Sequence, residues 1–244
     1  MATLRQRSHA ADPDVAAIAA LIGDPVRAAM LLALLDGAAL PATELAYRGG
    51  ASPQAASAHL RKLVDGRLLT VSAAGRQRRY RLAGREVAHA IEALLSVAPP
   101  RSVVALTQSL AMDRLRAART CYDHLAGRLG VAVTDALVTR GAIHPANGEF
   151  EMTGRGRGLF RGLGIDVDAL RQARRAFARA CTDWTERRPH LAGSLGKALL
   201  DRFFAHTWLV RSSADRSVRL TPRGERALGR LLGVQPWTQS STLP

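Results

Sequence analysis

Residues 51–63 read ASPQAASAHLRKL, and this stretch predicts a helix with a defined start and one apolar face. Ser52 is placed to accept a hydrogen bond from an amide of the first turn, and Pro53 suits the position after such a cap. A shorter predicted helix, 42–47, precedes the glycines at 49–50, so the region predicts a helix, a tight turn and a second helix. The apolar residues of the second helix recur at helical spacing and are expected to face a core: Ala56, Leu60 and Leu63.

A basic hairpin is predicted directly after this second helix. Residues 68–72 and 78–82 have the composition of strands, and a turn at 73–77 that contains a glycine joins them. The arginines near the tip of the hairpin are Arg76, Arg78 and Arg79.

Further predicted helices flank this pattern on both sides. Apolar residues at helical spacing indicate two helices between 14 and 35, interrupted at 23–25. A last amphipathic helix over 85–97 precedes the prolines at 99–100, which indicate a linker. The first predicted domain therefore covers residues 14–98.

The order of these elements resembles that of the ArsR/SmtB family of winged helix-turn-helix regulators. The resemblance is carried by residues 51–63, by GDPVR at 23–27 and by GRLL at 66–69. It implies a regulator of double-stranded operator DNA, with the predicted helix over 52–65 in the major groove and the hairpin as a wing. The candidate DNA-binding residues are Ser52, Gln54, Ala55, Ser57, His59, Arg61, Lys62, Arg76, Arg78 and Arg79.

The exposed side of this recognition helix is expected to contact DNA. Gln54 and Ser57 are the candidates for base contacts, because the N-terminal part of a recognition helix reaches the base edges. Arg61 and Lys62 are better placed for phosphates. His59 either joins them or forms a hydrogen bond that fixes the turn. The wing arginines either meet the DNA backbone or minor groove, or lie on a merely solvated hairpin.

The resemblance also implies a homodimer with twofold symmetry. Members of the family usually dimerise through the first and last helices of this domain, and such a dimer predicts a nearly palindromic operator. Contacts made by the second domain are the alternative interface. The candidate interface residues are Leu21, Ile22, Ala90, Ile91, Leu94 and Leu95.

The composition agrees with a DNA-binding protein. The net charge is +15, which favours a polyanionic partner, although the alanine-rich and lysine-poor composition is also that of a GC-rich coding sequence.

No apolar run reaches the roughly 20 residues of a membrane-spanning helix. We therefore expect a cytoplasmic protein without a membrane partner. The common motifs of metal hydrolysis, nucleotide binding and acyl transfer are absent, so we do not expect an enzyme.

The second half of the chain contains a weak internal repeat. Cys121, Asp123 and HLAG at 124–127 correspond to Cys181, Asp183 and HLAG at 190–193. Each copy predicts helices, a short strand and a final helix that is capped by a threonine, and these threonines are Thr153 and Thr221.

The predicted fold class is therefore mainly α. An N-terminal winged helix-turn-helix with a β-hairpin wing precedes a mostly helical effector or dimerisation domain over 113–235. The two copies of the repeat cover about 113–170 and 175–235 of that domain. The remaining predicted segments are a flexible N-terminus at 1–13, a linker or helix at 99–112 and a tail at 236–244.

The paired cysteines fit either a buried core or an effector site in the second domain. Related packing would bring Cys121 and Cys181 to equivalent places, and thiolates with imidazole or carboxylate groups suit a soft divalent metal such as zinc, cadmium or lead. One branch of the family senses cadmium and lead through C-terminal cysteines. His124 and His190 are either further ligands or residues that pack at a helix N-terminus. Cys121 and Cys181 also fit a buried core or a redox switch.

Two other interpretations stay open at this point. The alternative function is a thiol-dependent enzyme joined to a DNA-binding module, with one cysteine as nucleophile and a histidine as base. A small organic molecule is a further kind of effector. His89 and Glu92 share one face of the last helix of the first domain, and we expect them to form an ordinary polar face.

Overall fold

The computed structural model describes residues 13–75, 77–99 and 106–234. The predictions for the N-terminus up to residue 12, for Arg76, for the linker at 100–105 and for the tail lie outside the described residues. Contacts between residues divide the described part of the chain into two compact units. One unit contains the described residues up to Leu32 and Ala39–Ala83, and the other contains Ala33–Ala38 and the described residues from Gly84 onward.

The first unit is a winged helix-turn-helix, which confirms the predicted fold. The hairpin of β2 and β3 is the wing, and the strands of its sheet lie in the order β1-β3-β2. The elements in chain order are α1 (Val15–Ile22), α2 (Pro25–Ala33), β1 (Leu40–Pro41), α3 (Ala42–Gly49), α4 (Pro53–Asp65), β2 (Leu69–Ala74) and β3 (Gln77–Leu82).

Local interactions define the turn between α3 and α4. Gly50 ends α3 in the left-handed region with φ 63°, a conformation that glycine adopts at no steric cost. The Oγ of Ser52 accepts a hydrogen bond from the amide of Ala55 at 3.3 Å, and Pro53 starts α4. The core-facing residues of α4 are buried as predicted, namely Ala56, Leu60 and Leu63. The opposite face of α4 remains uncovered.

The second unit is built from helices and short hairpins. Each strand is paired antiparallel with the next one in the chain, as β4-β5, β6-β7, β8-β9 and β10-β11. The elements are α5 (Arg85–Val97), α6 (Leu106–Ala117), β4 (Arg119–Cys121), β5 (His124–Ala126), α7 (Gly127–Thr139), β6 (Ile143–Ala146), β7 (Glu149–Met152), α8 (Gly154–Gly162), α9 (Val167–Arg171), β8 (Ala180–Thr182), β9 (Pro189–Leu191), α10 (Gly193–Ala205), β10 (Leu209–Arg211), β11 (Val218–Leu220) and α11 (Pro222–Leu232).

Two segments of this unit contain the same order of elements. The segment from β4 to α8 and the segment from β8 to α11 each run hairpin, helix, hairpin, helix. The first hairpin of each segment is bonded to the second hairpin of the other: the amide of Thr120 donates to the carbonyl of Arg216 at 3.0 Å, and that of Ala180 to Gly148 at 3.1 Å. Helix α7 lies against β9, and α10 lies against β5. The two segments are thus interlocked around one core.

Helix α8 approaches the preceding backbone closely at Gly156. A Cβ atom on Gly156 would lie 2.0 Å from the carbonyl oxygen of Ala142, so only glycine fits there. Helix α11 makes the corresponding approach at Gly224, where a Cβ atom would lie 2.3 Å from the carbonyl oxygen of Trp208. Gly158, two residues further along α8, has no such neighbour within 4 Å.

Helix α5 belongs to the second unit by its contacts, whereas the predicted first domain extended to residue 98. Glu92 is 4% exposed and pairs with Arg216, which also donates to the carbonyl of Thr120 at 3.1 Å. Arg179 donates to Nδ1 of the half-buried His89 at 2.7 Å. The expectation of an ordinary polar face is therefore wrong, because arginines of the second unit hold both side chains.

In the part of the chain that the structure describes, no single helix is long and apolar enough to cross a membrane. The pair α1 and α2 meets the length and composition criteria together, with a bend of 86° between the two helices.

Candidate functional site

The uncovered face of α4 carries the candidates for DNA contact. Gln54, Ser57, Arg61 and Lys62 are exposed, and so is the cap residue Ser52. The Oγ of Ser57 donates to the carbonyl of Pro53 at 2.9 Å, which leaves its lone pairs available to a donor outside. Among the residues that the structure describes, no partner covers the polar and cationic groups of this face.

The wing continues the cationic surface beside α4. Ser57, Arg61 and Arg78 line one open groove of about 400 Å³ in the first unit. Arg79 is exposed but donates to the carbonyl of Ala39 at 3.1 Å, so it also anchors β3. The structure thus brings Ser57 and two of the predicted arginines to one groove.

His59 and Ala55 are less available than the other candidates on α4. Both side chains are half-buried. The Nδ1 of His59 faces Oδ1 of Asp24 at 3.6 Å, a distance too long for a hydrogen bond. His59 therefore points at the start of α2 without a hydrogen bond from its Nδ1 to hold the turn.

The predicted dimer residues differ in exposure. Leu94 is 46% exposed, and Leu21, Ile22 and Leu95 are half-buried. Ile91 is only 4% exposed, so it is not available to a partner. Helix α1 is apolar, and none of its residues is buried in the chain.

The second candidate site is a cluster of two cysteines and two histidines in the second unit. Cys121 and His124 pair across the hairpin of β4 and β5, and Cys181 and His190 pair across the hairpin of β8 and β9. All four residues are buried. One sulfur or nitrogen atom from each residue lies within 4.8 Å of the others, so this group could hold a metal ion. We name it the Cys/His cluster.

Like atoms of the two segments lie close together in the cluster. The two sulfur atoms, Cys121 Sγ and Cys181 Sγ, are 3.9 Å apart. The two nitrogen atoms, His124 Nε2 and His190 Nε2, are 3.1 Å apart. Each segment therefore contributes one thiol and one imidazole to a common centre.

A carboxylate lies behind each imidazole. His124 Nδ1 donates to Asp123 Oδ1 at 3.4 Å, and Arg175 donates to the same carboxylate at 2.7 Å. His190 Nδ1 lies 3.8 Å from Asp183 Oδ2 and has no hydrogen-bond partner.

Asp183 is fully buried and held by several donors. Arg119, whose side chain is also fully buried, donates to Asp183 Oδ2 at 2.9 Å. The amide of Gly127 donates to the same oxygen at 2.6 Å, and the amide and hydroxyl of Thr185 donate to Oδ1 at 2.9 and 2.7 Å. Although burial opposes its ionisation, the Arg119 guanidinium and these donors hold the pKa of Asp183 well below its ordinary value.

The surroundings shift the pKa values of the two thiols in opposite directions, and they do the same for the two imidazoles. The contact with Cys121 lowers the pKa of the Cys181 thiol, and the two imidazoles act in the same direction. The contact with Cys181 and burial raise the pKa of Cys121. Burial opposes a charged His124, but hydrogen bonds with Asp123 and Cys181 outweigh it and raise its pKa, whereas burial lowers the pKa of His190. A lowered thiol pKa favours the thiolate of Cys181, and the thiolate is the form that binds metals.

The sequence interpretation found the four members of the cluster but not their supporting arginines. Arg119 was not singled out, although Arg-x-Cys occurs at both 119–121 and 179–181 and was a usable signal. Arg175 follows no such pattern. The histidines lie on strands rather than at helix N-termini, because α7 and α10 begin three residues after them.

Known proteins are similar to this chain both over part of its first unit and over nearly its whole length. A family described as "Helix-turn-helix domain" matches residues 22–72. The protein YdfF of Bacillus subtilis (strain 168), described as an uncharacterized HTH-type transcriptional regulator, is 45% identical over 224 residues, which cover 92% of this chain and 99% of YdfF. The chain belongs to the family of HTH-type transcriptional regulators. The predicted ArsR-like winged helix-turn-helix regulator is thereby confirmed, and the similarity to YdfF includes the second unit.

Solved structures match smaller parts of this regulator. The cadmium metal sensor CMTR from Mycobacterium tuberculosis is 33% identical and covers 38% of this chain and 99% of its own, with a TM-score of 0.30. The homodimeric winged helix-turn-helix domain of Mb0332 from Mycobacterium bovis is 27% identical and covers 47% of this chain and 94% of its own, with a TM-score of 0.31. NolR from Sinorhizobium fredii is 24% identical over 34% of this chain and 81% of its own, with a TM-score of 0.31.

Proposed function

We propose that this regulator represses transcription by binding a specific operator as a homodimer in the cytoplasm, and that a metal in its second unit controls the binding. The observation that carries the proposal is the uncovered face of α4 beside a basic wing in a chain of this family. Gln54 and Ser57 read base edges, while Arg61, Lys62 and the wing arginines bind phosphates. The net charge of +15 supports the phosphate contacts through counterion release.

Apolar surface supports the homodimer. Val15, on α1, is 73% exposed, and Val97, at the end of α5, is 77% exposed. Apolar side chains exposed in this way on two helices gain free energy when a second copy covers them. The dimer interface therefore includes α1 and the exposed side of α5 with Leu94.

The Cys/His cluster supports a metal as the effector. Thiolate and imidazole ligands suit zinc, cadmium or lead. A thiol-dependent enzyme needs a nucleophile that a substrate can reach, and Cys121 and Cys181 are 0% and 8% exposed. We therefore propose a sensory role for the second unit, and not a catalytic one.

We expect Gln54→Ala and Ser57→Ala together to erode sequence preference more than total affinity. Each lost base contact costs about 1–3 kcal/mol on the operator and nothing on random DNA. The operator is first selected from a random DNA pool, and both affinities are then measured at one salt concentration. Lys62→Ala is the matched control, since loss of a phosphate contact weakens both DNAs alike. Equal losses on both DNAs in the Gln54/Ser57 variant would contradict the proposal.

We expect zinc, cadmium or lead to weaken operator binding by about 5–150-fold, the usual range of coupling between two sites. The reduced, chelator-treated protein is titrated with each ion while operator binding is followed by fluorescence anisotropy. The double variant Cys121→Ser/Cys181→Ser should bind the operator normally and lose the response. Operator binding that is insensitive to all three ions would remove the metal from the proposal and leave the DNA-binding role in place.

A further inference from the structure

We propose that Cys121, His124, Cys181 and His190 form a closed, four-coordinate site for one zinc-class divalent ion per chain, with Asp123 orienting the imidazole of His124. The inference deepens the proposed metal response and rests on it only for the regulatory consequence, because ion binding is measured without DNA. It names the full ligand set, the geometry and the class of ion.

The sulfur–sulfur and nitrogen–nitrogen distances in the cluster are close to those of a tetrahedral site. With zinc–sulfur bonds of about 2.3 Å and zinc–nitrogen bonds of about 2.0–2.1 Å, tetrahedral angles place two sulfurs about 3.8 Å apart and two nitrogens about 3.3–3.4 Å apart. The observed separations are 3.9 Å between the sulfurs and 3.1 Å between the Nε2 atoms. Two thiols and two imidazoles in this arrangement favour zinc over the hard cations, which prefer oxygen ligands.

The orientation of the imidazoles points to the same conclusion. Both rings direct Nε2 into the cluster and Nδ1 toward a carboxylate, Asp123 for His124 and Asp183 for His190. A carboxylate that is hydrogen-bonded to a histidine is the usual support of a metal ligand, because it fixes the ring and its tautomer. Asp123 supports His124 in this way, whereas Asp183 lies 3.8 Å from His190 Nδ1. The two Nε2 atoms lie 3.1 Å apart in a buried place, and a cation that both of them coordinate would stabilise this arrangement.

Charge balance explains why the ion is divalent. Arg175 pairs with Asp123 and Arg119 pairs with Asp183, so both carboxylates are already compensated. The charges of two thiolates and one divalent cation then sum to zero, so the buried site holds no uncompensated charge. Because each segment supplies one cysteine and one histidine, the ion joins the two halves of the unit.

Cobalt(II) is the probe that reports this geometry directly. The full-length protein is reduced, treated with a chelator and titrated with Co(II), whose visible bands are intense in tetrahedral sites and weak in octahedral ones. We expect saturation at one Co(II) per chain, an intense visible spectrum, a thiolate-to-cobalt charge-transfer band in the near ultraviolet, and loss of all these bands when Zn(II) is added. A weak octahedral spectrum, or no charge-transfer band, would overturn the assignment without the use of any variant.

Variants test each ligand separately. Replacing a ligand, as in Cys181→Ser or His190→Gln, should weaken Co(II) binding by more than about 100-fold, since loss of a merely supporting residue costs 10–100-fold. Asp123→Asn should fall in that lower range. His144→Gln is the control, because His144 is an exposed histidine paired with Glu151 outside the cluster. Circular dichroism checks that each variant is folded, and unchanged Co(II) affinity in a folded His190→Gln protein would overturn the four-ligand set.

The two proposals can fail separately. Tetrahedral Co(II) binding with operator affinity unchanged would retain the site and reject metal-controlled DNA binding. Metal-sensitive operator binding that survives in the folded His124→Gln and His190→Gln variants would retain the regulator and reject this site.

Discussion

Asp183→Asn should lower the free energy of unfolding of the second unit by about 3–5 kcal/mol, the usual cost of removing one partner from a buried ion pair. The side chains of Asp183 and Arg119 are both fully buried, so the variant leaves the guanidinium charge without compensation. It also replaces one carboxylate oxygen by an NH2 group, so either the Gly127 amide or Thr185 loses its acceptor. Urea unfolding in the presence of a chelator measures the change without a contribution from metal binding. All three tryptophans follow residue 183, so their fluorescence reports this half of the chain.

Asp135→Asn is the matched control for that prediction. Asp135 pairs with Arg188 at 2.9 Å, but the side chains are 43% and 59% exposed, so solvent screens the pair. Exposed pairs of this kind contribute about 0–1 kcal/mol. Similar losses in the Asp183 and Asp135 variants would mean that the Arg119–Asp183 pair does not hold the unit together.

Gly156→Ala should destabilise the second unit by about 3 kcal/mol, at the upper end of the range for an added methyl group in a packed core. The new Cβ atom would lie 2.0 Å from a backbone oxygen, so α8 must move away from Ala142. The neighbouring Phe160 is fully buried on the same helix, and its packing would be disturbed as well. Thermal unfolding followed by circular dichroism gives the change.

Gly158→Ala separates this steric effect from helix propensity. Gly158 lies in the same helix with open space around it, and alanine is better than glycine in a helix interior by about 0.5–1 kcal/mol. The two substitutions are chemically identical and should have opposite signs. A stabilised Gly156→Ala protein would show that α8 does not approach the Ala142 carbonyl as described.

Elements that local side-chain chemistry defines could be predicted from the sequence. Ser52 caps α4, and Thr153 and Thr221 cap α8 and α11 by accepting from amides three residues later at 3.0 Å. The predicted helix at 85–97 coincides with α5. Each capping side chain lies within one helical turn of the amide from which it accepts.

The ligand hairpins could not be predicted in the same way. Residues 119–121 are buried on both faces of the strand, so the alternation that marks a strand is missing. The turn between Cys121 and His124 uses Tyr122 at φ 59°, and the other ligand hairpin uses Arg187 at φ 55°, although glycine is the usual residue in this conformation. The pairing of Arg119 with Asp183 spans 64 positions, and no local pattern encodes it.

The interlocked hairpins have a consequence for the folding of the second unit. One segment taken alone would lack the backbone hydrogen-bond partners that the other segment supplies. The unit is therefore complete only when both segments come together. Closing it brings Thr120 to Arg216 across 96 positions, so it should fold later than the locally connected helix-turn-helix.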